Sequence, residues 1–415
     1  MFLFRCSRAI SGAWTWTRSE KPRRPAAAWL FFAVMTAAGT AAASTGAPSG
    51  FQTAAASAIL IDADGDSVLF EKNADELVAP ASLAKLMTVE VVFNELKNGR
   101  LHLHDEFPVS ETAWRRGGAP SRTSSMFAPI HSRVSVADLL RGAIIQSGND
   151  ACIALAEGIA GSEERFAEKM TARARELGLT RSVFTNSTGL PDPGLKVTVR
   201  ELARLAQHII ATYPDFYAIY REPEFTWNKI RQLNRNPLLA MNIGADGMKT
   251  GYTAEAGYNL VGSAIQNGMR LVLVISGTKS DKERADEGRR LLEWGFNSFE
   301  QRILFGTGQP VGDAKVYGGT QGSVPLLAPG PVRVMVPKAG NEKIVARIVY
   351  QGPLQAPVRA SQPAGVLRVS RNDIVALEVP LHTAEEVAVG GLPGRAVDAA
   401  GEIFIHLFRA GLQRL

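Results

Sequence analysis

The stretch "GYNLVGSAIQNGMRLVLVISGT", residues 257–278, constrains the fold more than any other part of the chain. Two apolar runs flank Asn267-Gly268, a dipeptide suited to the positive φ angles of a two-residue hairpin. An antiparallel sheet follows, and the neighbouring segments say what covers it. "SAILIDADGDSVLFEKN" reads as two more strands joined around Asp64-Gly65. Helical spacing runs through Leu83, Leu86, Met87, Val91 and Leu96, with Pro80 placed for a first turn and Gly99 for a C-cap. Helices are also predicted over about 135–160, 163–177 and 198–212, and across "DKERADEGRRLLEWGFNSF". Strands, helices, strands and a helix give an α/β sandwich in which helices cover an antiparallel sheet.

Beyond about Gly308 the texture changes. Residues 310–380 are rich in Val, Gly and Pro, with alternating runs such as "VRVMVP", "KIVARIVY" and "GVLRVSR", the pattern of a small all-β domain. The expected organisation is an export signal (1–43), the α/β domain (44–308), the all-β domain (309–382), then a linker and amphipathic helix (383–415). In that last helix Ile403, Phe404, Leu407, Phe408, Leu412 and Leu415 share one face, opposite Asp398, Glu402, His406, Arg409 and Gln413. It is too polar to span a bilayer and suits the surface of a membrane; packing on the β domain is the alternative.

Charge separates two readings of the whole chain. A pI near 9.3 invites nucleic acid, but residues 1–43 hold Arg5, Arg8, Arg18, Lys21, Arg23 and Arg24 against Glu20 alone. Without that segment 40 basic and 39 acidic residues remain, so the body is neutral and has no electrostatic footprint for nucleic acid. The segment itself has the form of an export signal: a basic region, an apolar run, then Ala41-Ala42-Ala43 before Ser44. The expected location is therefore periplasmic, attached to the outer face of the inner membrane. With Cys6 in the signal, Cys152 stands alone and cannot form an intramolecular disulfide. The six histidines have no metal-binding spacing, so no metal is expected.

"APASLAKLMT" places Ser82 and Lys85 three residues apart at a predicted helix start. Residues i and i+3 share a face, so hydroxyl and amine can meet. A serine hydroxyl becomes a useful nucleophile when a base takes its proton, and a lysine serves once burial or a nearby cation favours its neutral form. The helix N-terminus adds a field that favours developing negative charge. Alone the pair is weak evidence. "IIQSGNDA" then brings Ser147, Gly148 and Asn149, and "DGMKTGYT" brings Lys249, Thr250 and Gly251 on a predicted strand. Serine-x-x-lysine, serine-x-asparagine and lysine-threonine-glycine, in that order, form the motif set of penicillin-binding proteins and class A β-lactamases.

On these motifs the mature chain resembles the low-molecular-mass penicillin-binding proteins that act as D-alanyl-D-alanine carboxypeptidases. "SRTSSMFAPIHSRVSVADLLRGAIIQSGNDA", "FTNSTGLPDPG" and "DGMKTGYTAEAGYNLVGSA" are similar to that family's blocks, and the β-rich domain and terminal helix match its carboxypeptidase members. Ala84 stands where the family often has threonine, and Tyr252 where it has histidine or tyrosine. The resemblance implies a penicillin-binding/β-lactamase-like transpeptidase fold and a serine peptidase that needs no cofactor. It implies Ser82 as nucleophile, Lys85 as general base and Ser147 as proton relay. Asn149 would hold the substrate backbone, Lys249 would partner the serine electrostatically, and Thr250 would bind the terminal carboxylate. An oxyanion hole would lie between the N–H groups of Ser82 and Tyr252, with Gly251 beside it. Arg284 falls where relatives place an arginine near the carboxylate, although a surface arginine at a helix start fits as well. The implied partners are peptidoglycan stem peptides, β-lactams as covalent inhibitors and the membrane surface. A D,D-endopeptidase, a non-catalytic peptidoglycan-binding scaffold and a weak β-lactamase are the rival readings. No Glu-x-x-Leu-Asn stretch lies between Ser147 and Lys249, which disfavours fast β-lactam hydrolysis.

Overall fold

The computed structural model describes residues 2–8, 14–18, 50–65, 67–339, 343–371 and 374–392. The apolar run of the expected export signal and the expected terminal amphipathic helix lie outside the described residues. The chain divides into two units: Ala47–Glu300, and a second built from Gln301–Leu415 with Met1–Gly46.

The first unit holds a five-stranded sheet in the order Val68–Lys72, Ser57–Asp62, Met269–Thr278, Gly257–Gln266, Ala245–Thr253, with every neighbouring pair antiparallel. Asn267 and Gly268 take φ angles of 51° and 76°, as the hairpin reading requires. Side chains alternate between two covered faces. Ile59, Ile61, Val261, Val272 and Val274 join the large core shared with the helices Lys85–Lys97, Asn149–Ala160, Glu163–Glu176 and Val199–Thr212. Leu60, Leu260 and Leu271 turn the other way, against the Asp281–Ser298 helix at Gly288 and Gly295. Each such leucine or isoleucine contributes about 1.5–3 kcal/mol by leaving water.

One predicted helix is broken. The spacing over about 135–160 predicts a single helix, but the chain runs from an α-helix (Val136–Arg141) through a π turn (Gly142–Gln146) to Ser147 at φ 64°. A new helix, Asn149–Ala160, starts from there. Buried apolar residues lie on both sides of the break, at 143–145 before it and 151–156 after it, so the apolar pattern does not mark it. The corner matters because it carries Ser147 and Asn149 into the interior, where both are buried.

In the second unit Gly312–Tyr317, Ser323–Leu327, Ile374–Thr383, Pro363–Arg371 and Ile344–Tyr350 are successive neighbours in one sheet. Leu354–Gln355 extends one edge, and Phe2–Arg8 with Trp14–Arg18 the other. Phe299–Phe305 pairs with Val332–Pro337 in a separate two-stranded ladder. Val316, Val324, Leu326, Val334, Ile348, Leu367 and Val369 lie in its apolar core. An antiparallel sheet with helices and a separate all-β unit agree with the fold read from sequence.

Candidate active site

Ser82 lies in a 3₁₀ turn, Ala81–Ala84, that runs directly into the Lys85–Lys97 helix. Ala81, the residue before it, has φ 50°, a left-handed conformation costing a residue with a side chain about 1–3 kcal/mol. Two glycines let other backbone press on this turn. A Cβ on Gly189 would lie 1.9 Å from the Ala81 carbonyl oxygen, and one on Gly251 would lie 3.1 Å from the Ser82 nitrogen. The glycine of the third sequence motif therefore brings the Ala245–Thr253 strand up to the nucleophile.

Lys85 is fully buried. Its ammonium donates to Ser82 Oγ at 3.0 Å, Asn149 Oδ1 at 2.7 Å and the Thr188 carbonyl at 2.5 Å. Those acceptors use all the donors an ammonium has and fix it against the serine. Burial lowers its pKa to about 8; the charge of Arg235 acts in the same direction, while Cys152, Asp150 and Glu163 oppose it. A base so placed is neutral in a sizeable fraction of molecules near neutral pH.

Lys249 is also buried and donates to the Thr250 carbonyl at 3.0 Å. Burial first, then the neighbouring Lys85 and Arg235, push its pKa well below the usual lysine range. Thr250 is buried beside it, whereas Tyr252 is exposed with its ring 4.2 Å from that of Tyr258. Arg284 is buried, pairs with Asp281 and lies over the Tyr258 ring at 5.7 Å. Its charge acts on Lys249 and on Arg235, and its Nε has no hydrogen-bond partner. The arginine that sequence alone could assign to a surface is thus part of a cationic group with Lys249 and Arg235, a field suited to an anionic ligand.

Sequence reasoning missed four contributors. The Thr188 carbonyl holds Lys85, and Asn186 Oδ1 shapes that loop by accepting from Thr188 N, Thr188 Oγ1 and Gly189 N. Arg235 donates to Ser124 Oγ at 2.7 Å. Thr123 Oγ1 accepts from Asn149 Nδ2 at 2.9 Å, which leaves Asn149 Oδ1 facing Lys85. The stretches "SRTSSMFAPIHSRVSVADLLRGAIIQSGNDA", which holds Thr123, and "FTNSTGLPDPG", which holds Asn186 and Thr188, carried a signal as family-like blocks without a role assigned to these residues, and Arg235 carried none. Ser82, Lys85 and Asn149 are linked directly, and Gly251 touches the same turn. Ser147, buried, sits two residues before Asn149 at the helix corner.

The arrangement has counterparts among known proteins. A family profile described as D-alanyl-D-alanine carboxypeptidase matches residues 41–280, and one described as penicillin-binding protein 5, C-terminal domain, matches residues 299–389. The chain is 43% identical over 343 residues to D-alanyl-D-alanine carboxypeptidase DacC of Escherichia coli, which spans 82% of this chain and 86% of that protein. It is 40% identical over 352 residues to DacA of Haemophilus influenzae, covering 84% of this chain and 88% of that one. The solved penicillin-binding protein 5 of Haemophilus influenzae superposes with a TM-score of 0.74 at 38% identity, over 82% of this chain and 99% of that chain. A D-alanyl-D-alanine endopeptidase of Pseudomonas aeruginosa is more distant, 29% identical over 263 residues and covering 60% of this chain and 79% of that protein.

Proposed function

Since the chain belongs to the D-alanyl-D-alanine carboxypeptidase family of serine peptidases and is a penicillin-binding hydrolase acting on peptidoglycan, we propose how its residues divide that work. The observation that carries the proposal is the buried Lys85 ammonium 3.0 Å from Ser82 Oγ, with its pKa lowered to about 8. Neutral Lys85 takes the Ser82 proton as Oγ bonds to the carbonyl carbon between the two terminal D-alanines of a pentapeptide stem. The oxyanion that forms lies between the N–H groups of Ser82 and Tyr252, each contributing about 3 kcal/mol to its stabilisation. The C–N bond then breaks, Ser147 passes a proton to the leaving amine, and D-alanine departs. Water releases the shortened stem from Ser82.

Asn149 positions the substrate backbone and holds Lys85. Thr250 and the cations Lys249, Arg284 and Arg235 receive the terminal carboxylate, and the stem lies along the Ala245–Thr253 strand, the free edge of the sheet. β-Lactams enter by the same attack and acylate Ser82. A relative of known structure, penicillin-binding protein D2 of Listeria monocytogenes, has been solved in its ampicillin-bound form.

Mass spectrometry of products from a pentapeptide muropeptide and a cross-linked dimer tests this reading, with Ser82→Ala as control. Loss of one D-alanine from the pentapeptide, absent in the control, is expected. Cleavage of the dimer alone would make the protein an endopeptidase, and no product from either would make it a scaffold. Export through residues 1–43 and attachment through the terminal amphipathic helix belong to the same proposal. Deletion from Gly394 onward is expected to release active protein from membranes, and unchanged association would overturn the anchor.

A further inference from the structure

Asp150 follows Asn149 in the sequence, touches neither Ser82 nor Lys85 by hydrogen bond, and is wholly buried. Its carboxylate accepts from four donors: Ser125 Oγ at 2.7 Å, Met126 N at 2.9 Å, Ala128 N at 3.2 Å and Ala151 N at 3.0 Å. Ser125 Oγ also accepts from Phe127 N at 2.8 Å, which folds the loop back on the carboxylate. Gly148 is part of this closure, because a Cβ there would lie 2.9 Å from both Asp150 Oδ1 and Met126 N.

The fastened loop holds the catalytic asparagine. The Ser124 carbonyl, one residue before the clasp, accepts from Asn149 N at 2.7 Å, and Thr123 Oγ1 accepts from Asn149 Nδ2 at 2.9 Å. A carboxamide presents its oxygen on one side and its NH₂ on the other. With the NH₂ committed to Thr123, the oxygen must face Lys85, where it accepts at 2.7 Å. With the NH₂ released, the amide can turn a donor toward the ammonium, and Lys85 loses one acceptor that fixes it against Ser82.

Resting on the assignment of Ser82, Lys85 and Asn149 above, we infer that Asp150 is a positioning residue of the active site. Its carboxylate fastens the 125–128 loop so that Thr123 orients the Asn149 amide, and Asn149 in turn orients Lys85. A carboxylate is suited to this because its oxygens only accept, whereas an asparagine would aim its own N–H groups at the loop's donors.

The test is a double-mutant cycle on the full chain, read as the second-order rate of acylation by a fluorescent penicillin. Asp150→Asn is expected to slow acylation about 30-fold and Thr123→Val about 10-fold, while the double variant is no slower than Asp150→Asn, because both cut one link. A loss that only loosened the fold would multiply with the Thr123 loss, so multiplied losses overturn the inference. Acylation by Asp150→Asn within about twofold of the wild type would also overturn it. Should Asp150→Asn fail to fold, Ser125→Ala keeps the carboxylate and removes one of its donors. Its smaller loss, about threefold, must likewise not multiply with Thr123→Val. A wild type left unlabelled at Ser82 would overturn the functional reading and this inference with it, whereas a labelled wild type with multiplying losses overturns the inference alone.

Discussion

The two units both have apolar cores and differ in the charged side chains buried beside them. Ala47–Glu300 hides Lys85, Lys249, Arg284, Glu90, Asp150 and Glu163. From Gln301 onward the core is aliphatic and aromatic, and among the described residues Thr383 is the one polar side chain buried there. That threonine is satisfied, donating to the Arg359 carbonyl at 2.5 Å and accepting from Gln362 N at 3.0 Å. A buried charge costs several kcal/mol unless partners repay it, and an apolar residue in its place is often more stabilising. The first unit carries that cost where it places a base, an anion field and a loop clasp. Among its described residues the β unit buries no charged side chain.

The sharpest way to break this contrast is to remove the nucleophile. Ser82→Ala is expected to cut penicillin acylation by at least about 10⁴-fold, with a thermal midpoint within a few degrees of the wild type. Residual covalent label would place the nucleophile elsewhere. The opposite substitution acts on the β unit. Leu367→Ala removes a 1% exposed core side chain and should cost about 2–5 kcal/mol in denaturant unfolding, with the acylation rate at 25 °C unchanged. A parallel fall in acylation would show that the units are not separable in function. The smallest effect is a matter of pH. The neutral amine is the active form of Lys85, and its pKa lies near 8, below the 10.5 of a solvated lysine. Acylation should therefore rise about tenfold per unit toward pH 8 and level off above it, and a flat profile between about pH 6 and 9 would remove Lys85 from the role of base.

The same contrast explains what could be read from the sequence. Ser82 and Lys85 were legible because a helix converts a spacing of three residues into contact. The hairpin at Asn267-Gly268 was legible because few residues tolerate its backbone. The alternating runs of the β unit showed strands, but nothing in alternation orders them across a sheet. Thr188 was invisible for a simpler reason: it acts through a carbonyl that any residue would bring. Arg235 reaches the site only through tertiary folding, and a lone arginine has no local signature; Thr123 and Asp150 lie in family-like blocks, but their hydrogen bonds form only in the folded loop. The break at Ser147 is hard to see in the apolar pattern because the residues on both sides of it are almost all buried.

The Ala245–Thr253 strand ends its sheet, with Gly257–Gln266 on one side only. An unpaired strand edge is a template on which copies of a chain can stack. This one presents its open side next to Lys249, a buried cation on the strand itself. The lysine proposed to receive the substrate's carboxylate thus lies on the same strand along which a second copy would have to pair.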